Sequence, residues 1–148
     1  QPYGKSFNGG IRVAVLRGTS SLQIVAAPES GAKPVRRFSL QGKQVGGSVY
    51  PFGKSYGGGI ALAAGDVESI GAGYVLMTQL SAKTPRVRVY TADGAYLRQF
   101  APFTIKGLTG LNIAVGDVNG DGVSDVLAVP ASKNSAMVRM FDGHGGAL

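Results

Sequence analysis

The sequence predicts an all-β protein, and three features lead to that fold class. Apolar residues fall in short runs bounded by Gly, Ser or Pro, which is the pattern of strands and turns. No window carries the i, i+3, i+4, i+7 spacing of an amphipathic helix. The same order of runs and turns recurs three times along the 148 residues, so we expect a repeat architecture.

Three units of about 50 residues fill the chain, and we place them at residues 1–50, 51–101 and 102–148. Each unit opens with Pro followed by an aromatic residue, as in Pro51-Phe52. The interval from Gly65 to Gly116 is 51 residues, and the interval from Tyr90 to Phe141 is the same. This period sets the structural unit.

Each unit is expected to form up to four short strands. The first apolar runs are 11–16, 60–64 and 111–115, and the second runs are 22–27, 74–80 and 126–129. The third runs alternate polar and apolar residues, as at 86–90 and 137–141, with residues 35–38 as their counterpart in the first unit. A fourth run is clearest at 96–103. We expect the first two strands of each unit to be covered on both faces.

Four short strands in 40–50 residues are typical of one β-propeller blade. The last unit stops where its fourth strand is expected, so we predict an incomplete third blade. Three blades are fewer than the usual range of about four to eight. The chain is therefore expected to be a fragment of a larger propeller, a subunit that closes by self-association through its unpaired blade edge, or an open stack docked on a protein partner.

The third unit carries the one motif with a clear chemistry, an acidic loop between its first two strands. Its sequence is Asp117-Val118-Asn119-Gly120-Asp121-Gly122-Val123-Ser124-Asp125. Oxygen ligands at alternate positions of a tight turn suit Ca²⁺, and Val123 can offer a backbone carbonyl. The loop is not an EF-hand, because Ala128 stands where that motif needs Glu. The alternative is a solvated hairpin turn without metal.

The units resemble the FG-GAP/VCBS repeat family, the integrin-α-like β-propeller repeat found in many secreted bacterial proteins. The resemblance is carried by Ile113–Gly122 and Val138–Gly143, and by Phe100-Ala101-Pro102-Phe103. It implies one Ca²⁺ site, with ligands from Asp117, Asn119, Asp121, Val123 (backbone) and Asp125. The second unit keeps Asp66 but has Ile70 in place of the third carboxylate, and the first unit has Arg17 and no acid in its loop. We therefore expect weak or no metal binding in those two units.

Positive charge is concentrated in the first unit, which carries +6 of the net +7. Such a surface could face an acidic protein, an anionic glycan or lipid, or only solvent. The pattern argues against nucleic acid as a partner, because aromatic residues do not alternate with the Arg residues. Candidate residues for binding an anion or a partner are Arg12, Arg17, Arg36, Arg37, Arg88 and Arg139. Arg36, Arg88 and Arg139 could instead pair with loop carboxylates or cover a blade face.

Composition excludes several catalytic classes. The chain has no Cys and one His, so a thiolate metal site, a cysteine nucleophile and a disulfide framework are absent, and a Ser-His-Asp triad is nearly excluded. Few acids lie outside the acidic loop, which makes a carboxylate pair for glycoside hydrolysis improbable. No apolar run reaches the length of a transmembrane helix.

The sequence thus predicts a non-catalytic, Ca²⁺-stabilised interaction module. We expect it to be exported to the periplasm or cell surface, as an accessory or scaffold subunit on a larger assembly. Two alternatives remain open. One is a lectin-like or adhesion propeller, disfavoured by the absence of Trp. The other is a propeller fragment of a multidomain extracellular hydrolase.

Overall fold

The computed structural model describes residues 1–131 and 136–148, and its described residues form eleven strands in three antiparallel sheets. The predicted all-β class is confirmed. The first sheet contains Ile11–Arg17 (β1), Leu22–Pro28 (β2), Val35–Ser39 (β3) and Gln44–Val49 (β4). The second contains Ile60–Gly65 (β5), Tyr74–Gln79 (β6), Val87–Thr91 (β7) and Tyr96–Phe100 (β8). The third contains Leu111–Gly116 (β9), Asp125–Pro130 (β10) and Arg139–Phe141 (β11).

Each sheet is a meander in which strands follow one another in chain order. In the third sheet, an isolated bridge joins Phe141 to Ala147 at the register where Tyr90 pairs with Tyr96 in the second sheet. The predicted fourth strand of the second unit is shorter than expected, since β8 ends at Phe100. The chain leaves the sheet there because Pro102 has no N–H to donate to a strand neighbour. Among residues 1–131 and 136–148, the structure contains no apolar helix of membrane-spanning length.

Tight turns between the third and fourth strands end on a glycine in each repeat. The N–H of Gly42 donates to the Ser39 carbonyl at 2.9 Å, and that of Gly94 donates to the Thr91 carbonyl at 2.9 Å. Gly145 repeats the contact with Asp142 at 3.1 Å. All three glycines have positive φ, a conformation that residues with a Cβ rarely adopt. The Gly that recurs four residues after each aromatic residue therefore fixes this turn.

The three sheets stack in chain order along their first strands. Strand β1 packs beside β5, and β5 packs beside β9. One apolar cluster, with Leu16, Val25 and Met77 among its buried members, fills the space between the first and second sheets. A second cluster, including Leu76, Leu111 and Phe141, lies between the second and third sheets. The long side chain of Arg12 reaches from β1 to Asn112 on β9, but in the described part of the chain the backbones of these two strands do not pack together, so the array is open.

The expectation that both faces of each first strand are covered is wrong for the first sheet. Ile11, Val13 and Val15 alternate along β1 and are exposed, whereas Leu16 is buried against the second sheet. The physical reason is the open array, because no described residues pack as a sheet on that side of β1.

Candidate functional site

The recurrent arginine of each third strand clamps the Pro-aromatic pair that opens its repeat. The guanidinium carbon of Arg88 lies 5.1 Å from the centroid of the Phe52 ring, and Arg88 Nη1 donates to the Pro51 carbonyl. Arg139 repeats the arrangement, at 5.1 Å from the Phe103 centroid and with Nη1 3.1 Å from the Pro102 carbonyl oxygen. A planar guanidinium suits this site because it can stack on a ring and donate a hydrogen bond at its edge.

The first repeat has the same clamp with one addition. Arg36 Nη1 donates to the Pro2 carbonyl at 2.5 Å, and the guanidinium lies 5.7 Å from the Tyr3 centroid. The Tyr3 hydroxyl lies 3.0 Å from the Ala26 carbonyl oxygen and 2.8 Å from that of Pro34. Burial raises the pKa of Tyr3 to about 12, although Arg36 acts in the opposite direction. Arg36, Arg88 and Arg139 thus hold their own repeats together.

Two further arginines join neighbouring repeats. Arg37 donates to the carbonyls of Ala92 and Asp93, at 2.6 Å for Asp93. Arg98, which the sequence analysis did not single out, donates through Nε and Nη2 to the Gly143 carbonyl at 3.0 and 2.7 Å. Ala92 and Gly143 each lie two residues after the aromatic residue of a third strand, so the same carbonyl is bound in both joints.

Arg98 also forms an ion pair with Glu68, whose other carboxylate oxygen is 3.6 Å from His144 Nε2. Arg98 could have been found from the sequence by noting that it lies opposite Val89, the position equivalent to Arg37.

Arg12 and Arg17 lie at the first strand of the first sheet. Arg12 Nη2 donates to Glu29 at 2.9 Å, and Arg12 Nη1 donates to Asn112 Oδ1 of the third sheet at 3.3 Å. Arg17 ends β1, and its carbonyl accepts the Gly73 N–H at 3.0 Å. Its side chain is exposed beside a groove that also contains Asp66. Among the six candidate arginines, Arg17 and Arg139 are exposed, and Arg139 is held against Phe103 and Pro102.

The acidic loop of the third repeat is held by its own side-chain oxygens. Asp117 accepts the N–H groups of Gly120 at 2.7 Å and Gly122 at 2.9 Å. Asn119 Oδ1 accepts the Asp121 N–H at 2.9 Å, and Asp121 Oδ1 accepts the Val123 N–H at 2.8 Å. The hydrogen bonds from Gly122 and Gly120 lower the pKa of Asp117, because they stabilise its ionised form.

The fifth predicted ligand residue, Asp125, begins β10 and is 2% exposed. Its Oδ2 accepts the Val118 N–H at 3.0 Å, which ties the end of the loop to its start. By type, the loop supplies the oxygen donors that Ca²⁺ requires, and an oxygen that accepts one N–H keeps a second lone pair. Within residues 1–131 and 136–148, no three acidic or His side chains converge into a metal cluster. The Ca²⁺ site stays a prediction.

The loop of the second repeat keeps the same turn with fewer acids. Asp66 accepts the N–H groups of Glu68, Ile70 and Gly71, at 3.3, 3.3 and 2.6 Å. Ser69 takes the positive φ that Gly120 has in the third repeat. One Asp at the first position and the positive-φ residues therefore build the turn, and the extra oxygens of the third repeat are not needed for its shape.

Backbone contacts join each repeat to the next at two repeated places. Gly59 lies so close to the first repeat that a Cβ there would overlap the Glu29 carbonyl oxygen. A Cβ at Gly110 would overlap the Leu80 carbonyl oxygen in the same way. At the other end of the joint, the Arg17 carbonyl accepts the Gly73 N–H, and the Asp66 carbonyl accepts the Ser124 N–H at 2.9 Å. Both joints are thus built alike.

The first sheet leaves one apolar face uncovered. We call it the first-sheet face, and it consists of Ile11, Val13, Val15, Ile24 and Phe38. Ile11 is 42% exposed and Val13 is 65% exposed. Ile60 and Leu111 begin the first strands of the other two sheets and are 3% and 0% exposed, because a preceding sheet covers them.

The third sheet also leaves one apolar face uncovered, the side on which a following sheet would pack. We call it the third-sheet face, and it consists of Ala114, Leu127, Val129, Val138 and Met140. Met140 is 43% exposed and Val138 is 60% exposed. Val89 and Val87, at the same positions in the second repeat, are both fully buried by the third sheet. The shared apolar positions of the repeats mark these faces in the sequence, but which of them stay uncovered depends on the packing order of the three sheets.

A basic pocket of about 650 Å³ lies between the β6–β7 loop and the segment that leads into β9. Phe103, Ile105 and Leu108 contribute apolar surface, and the charged side chains at its rim are Lys83, Arg86 and Lys106. No carboxylate is among its described lining residues. This pocket could not be predicted from the sequence, because its three cations come from two separate loops.

Compared with known proteins, the chain matches no protein-family model and no curated sequence. The resemblance to FG-GAP/VCBS repeats accordingly stays a prediction.

Proposed function

We propose that the three sheets are β-propeller blades and that the chain is a non-catalytic interaction module. The observation that carries the proposal is the pair of uncovered apolar faces at the two ends of the array. A contiguous exposed apolar patch is typical of a protein-binding surface, whereas scattered apolar residues are not. The partner surface is a protein face that completes the stack.

Calcium has a stabilising role in this proposal. The side chains of Asp117, Asn119, Asp121 and Asp125 and the carbonyl of Val123 would hold one Ca²⁺. The cation would offset the repulsion among three carboxylates in one short loop. Extracellular Ca²⁺ concentrations suffice for loops of modest affinity, which agrees with an exported protein at the periplasm or cell surface.

The acids of the loops support a structural role over a catalytic one. Asp66, Asp117 and Asp142 each accept backbone N–H groups within their own turns. Such carboxylates fix loop geometry and are poorly placed to exchange protons with a substrate. We therefore assign the chain to binding and not to hydrolysis.

Site-specific photo-crosslinking in the producing cells tests the proposal. A photoreactive residue at Val13 should give a covalent adduct with a defined polypeptide, because Val13 lies at the centre of the first-sheet face. The matched control carries the photoreactive residue at Leu97, a half-exposed position on the outer strand β8. Equal, unspecific labelling at both positions would contradict an interaction role for the face.

The basic pocket favours a second function, the binding of an anionic glycan. Lys83, Arg86 and Lys106 supply three cations, and the half-buried Ile105 supplies apolar surface. A sulfated oligosaccharide should bind with an affinity that falls as salt is raised, and replacement of Lys106 by Gln should weaken it. Lys5→Gln, which lies outside the pocket, is the control and should bind as the wild type does. An unchanged affinity of the Lys106→Gln variant would exclude this pocket as the glycan-binding site.

A further inference from the structure

We propose that the third-sheet face of one chain packs on the first-sheet face of a second copy, and that two copies close a six-bladed ring. This inference rests on the proposed function and names its partner. It extends a joint that the chain already contains twice, between the first and second sheets and between the second and third.

The uncovered faces consist of the same repeat positions that form the two internal joints. In each joint, the later sheet contributes the face equivalent to Ile11, Val13 and Val15, and the earlier sheet contributes the face equivalent to Val138 and Met140. The end faces are therefore the two halves of this joint, on opposite ends of one molecule. They fit each other and not themselves, which requires head-to-tail contact.

In each internal joint, a glycine of the later sheet lies close to a backbone carbonyl of the earlier sheet. The equivalents of both groups are present at the two ends of the chain's stack of sheets. Gly59 and Gly110 precede the first strands of the second and third sheets, and Gly10 precedes β1. Glu29 and Leu80 follow the second strands, and Ala131 follows β10. In the proposed contact, Gly10 of one copy would take the place of Gly59 and Gly110, and the Ala131 carbonyl of the other copy would take the place of the Glu29 and Leu80 carbonyls.

Charge favours the same contact. The first repeat carries +6, and the third repeat has four acids against three cations. Adjacent loops meet in both internal joints, at Arg17 with Gly73 and at Asp66 with Ser124. In the proposed contact the acidic loop with Asp117 and Asp121 would approach the exposed Arg17 of the second copy. Opposite charges at that place increase the association rate and fix the orientation.

Ring closure sets the number of copies. Two chains supply six blades, which lies within the usual range of about four to eight, whereas three chains would supply nine. A closed pair buries both end faces of both copies, so no face is left to continue the stack.

Native mass spectrometry with two face variants tests the proposal. Val13→Asp blocks the first-sheet face, and Met140→Asp blocks the third-sheet face; both residues are exposed in the single chain, so folding should be unchanged. The wild-type chain should be a dimer, and each variant alone should have a dissociation constant raised by at least about 100-fold, since both joints of its dimer contain the charge. Leu97→Asp, at a half-exposed position on β8, is the control and should dimerise normally.

Mixing the two variants distinguishes head-to-tail contact from other arrangements. One joint in the mixed pair keeps two wild-type faces, so the Val13→Asp/Met140→Asp heterodimer should exceed either homodimer. A dimer that persists with Met140→Asp but not with Val13→Asp would indicate contact between two first-sheet faces and would overturn the proposal. A monomeric wild-type chain would also overturn it. Crosslinking from Val13 to a different polypeptide would then leave the interaction function standing, and its absence would remove both.

Discussion

The guanidinium of Arg88 stacks on the ring of Phe52, 5.1 Å from its centroid, and the same pairing joins Arg139 to Phe103 and Arg36 to Tyr3. Each pair links the third strand of a repeat to the segment that leads into its first strand. The contact therefore ties the third strand of each repeat to the start of the same repeat, which explains why an Arg recurs at this position.

Removal of this clamp should destabilise the fold. We expect Arg88→Met to lower the free energy of unfolding by about 1–3 kcal/mol, because a charge-assisted hydrogen bond to Pro51 and a cation–π contact are both lost. Arg86→Met, two residues earlier and exposed, is the matched control and should change it by less than about 0.5 kcal/mol. Urea unfolding measures both, and equal effects would show that the clamp contributes nothing.

The close approach of Gly59 to Glu29 leads to a second prediction. Gly59→Ala should cost more stability than Gly53→Ala, although both glycines have positive φ. The Cβ at position 59 would overlap the Glu29 carbonyl oxygen, whereas the Cβ at position 53 meets open space. We expect about 1 kcal/mol for Gly53→Ala and at least about 2 kcal/mol more for Gly59→Ala. Equal losses in urea unfolding would mean that the joint tolerates a methyl group.

Calcium should stabilise the chain through the acidic loop alone. Addition of millimolar Ca²⁺ should raise the Tm of the wild-type chain, because a ligand that binds only the folded state stabilises it by mass action. Asp121→Ala should abolish the rise, and Asp93→Asn, on an exposed turn, should preserve it. Calorimetric titration should give one site per chain. A Ca²⁺ response that survives Asp121→Ala would assign the ion to another place.

Acid should weaken the same loop in a defined direction. The pKa of Asp117 is lowered by the N–H groups of Gly122 and Gly120, so its stabilising effect is present above the unfolded pKa of about 3.9 and is lost as the pH falls through the lower folded value. In calcium-free buffer, Asp117→Asn should lower the Tm at pH 7, and the difference from wild type should shrink below about pH 4. A constant difference from pH 7 to pH 2 would contradict this role.

Periodicity predicted the strands well because local alternation and glycine turns determine them. The third strands and their turns at Gly42, Gly94 and Gly145 follow directly from the repeated residues. The stacking of Arg88 on Phe52 could not be read from the sequence, because it joins residues 36 positions apart and depends on how the repeat folds back.

In the acidic loop, too, some features follow from the local sequence and others depend on packing between repeats. Its position between the first two strands and its tight turn were predictable, since Asp and Gly at fixed offsets determine such turns. The buried state of Asp125 and the groove that the loop shares with Glu68 were not, because they arise from packing between the second and third repeats. The two uncovered faces could not be predicted either, because they depend on the order in which the three sheets pack.

Sedimentation equilibrium of the unmodified chain over a range of micromolar concentrations tests the central claim most directly. Association of the third-sheet face with the first-sheet face should give a species of two chains, with no larger species as the concentration rises. A single chain at every concentration would contradict head-to-tail closure. A series of species that grows with concentration would contradict the two-copy ring.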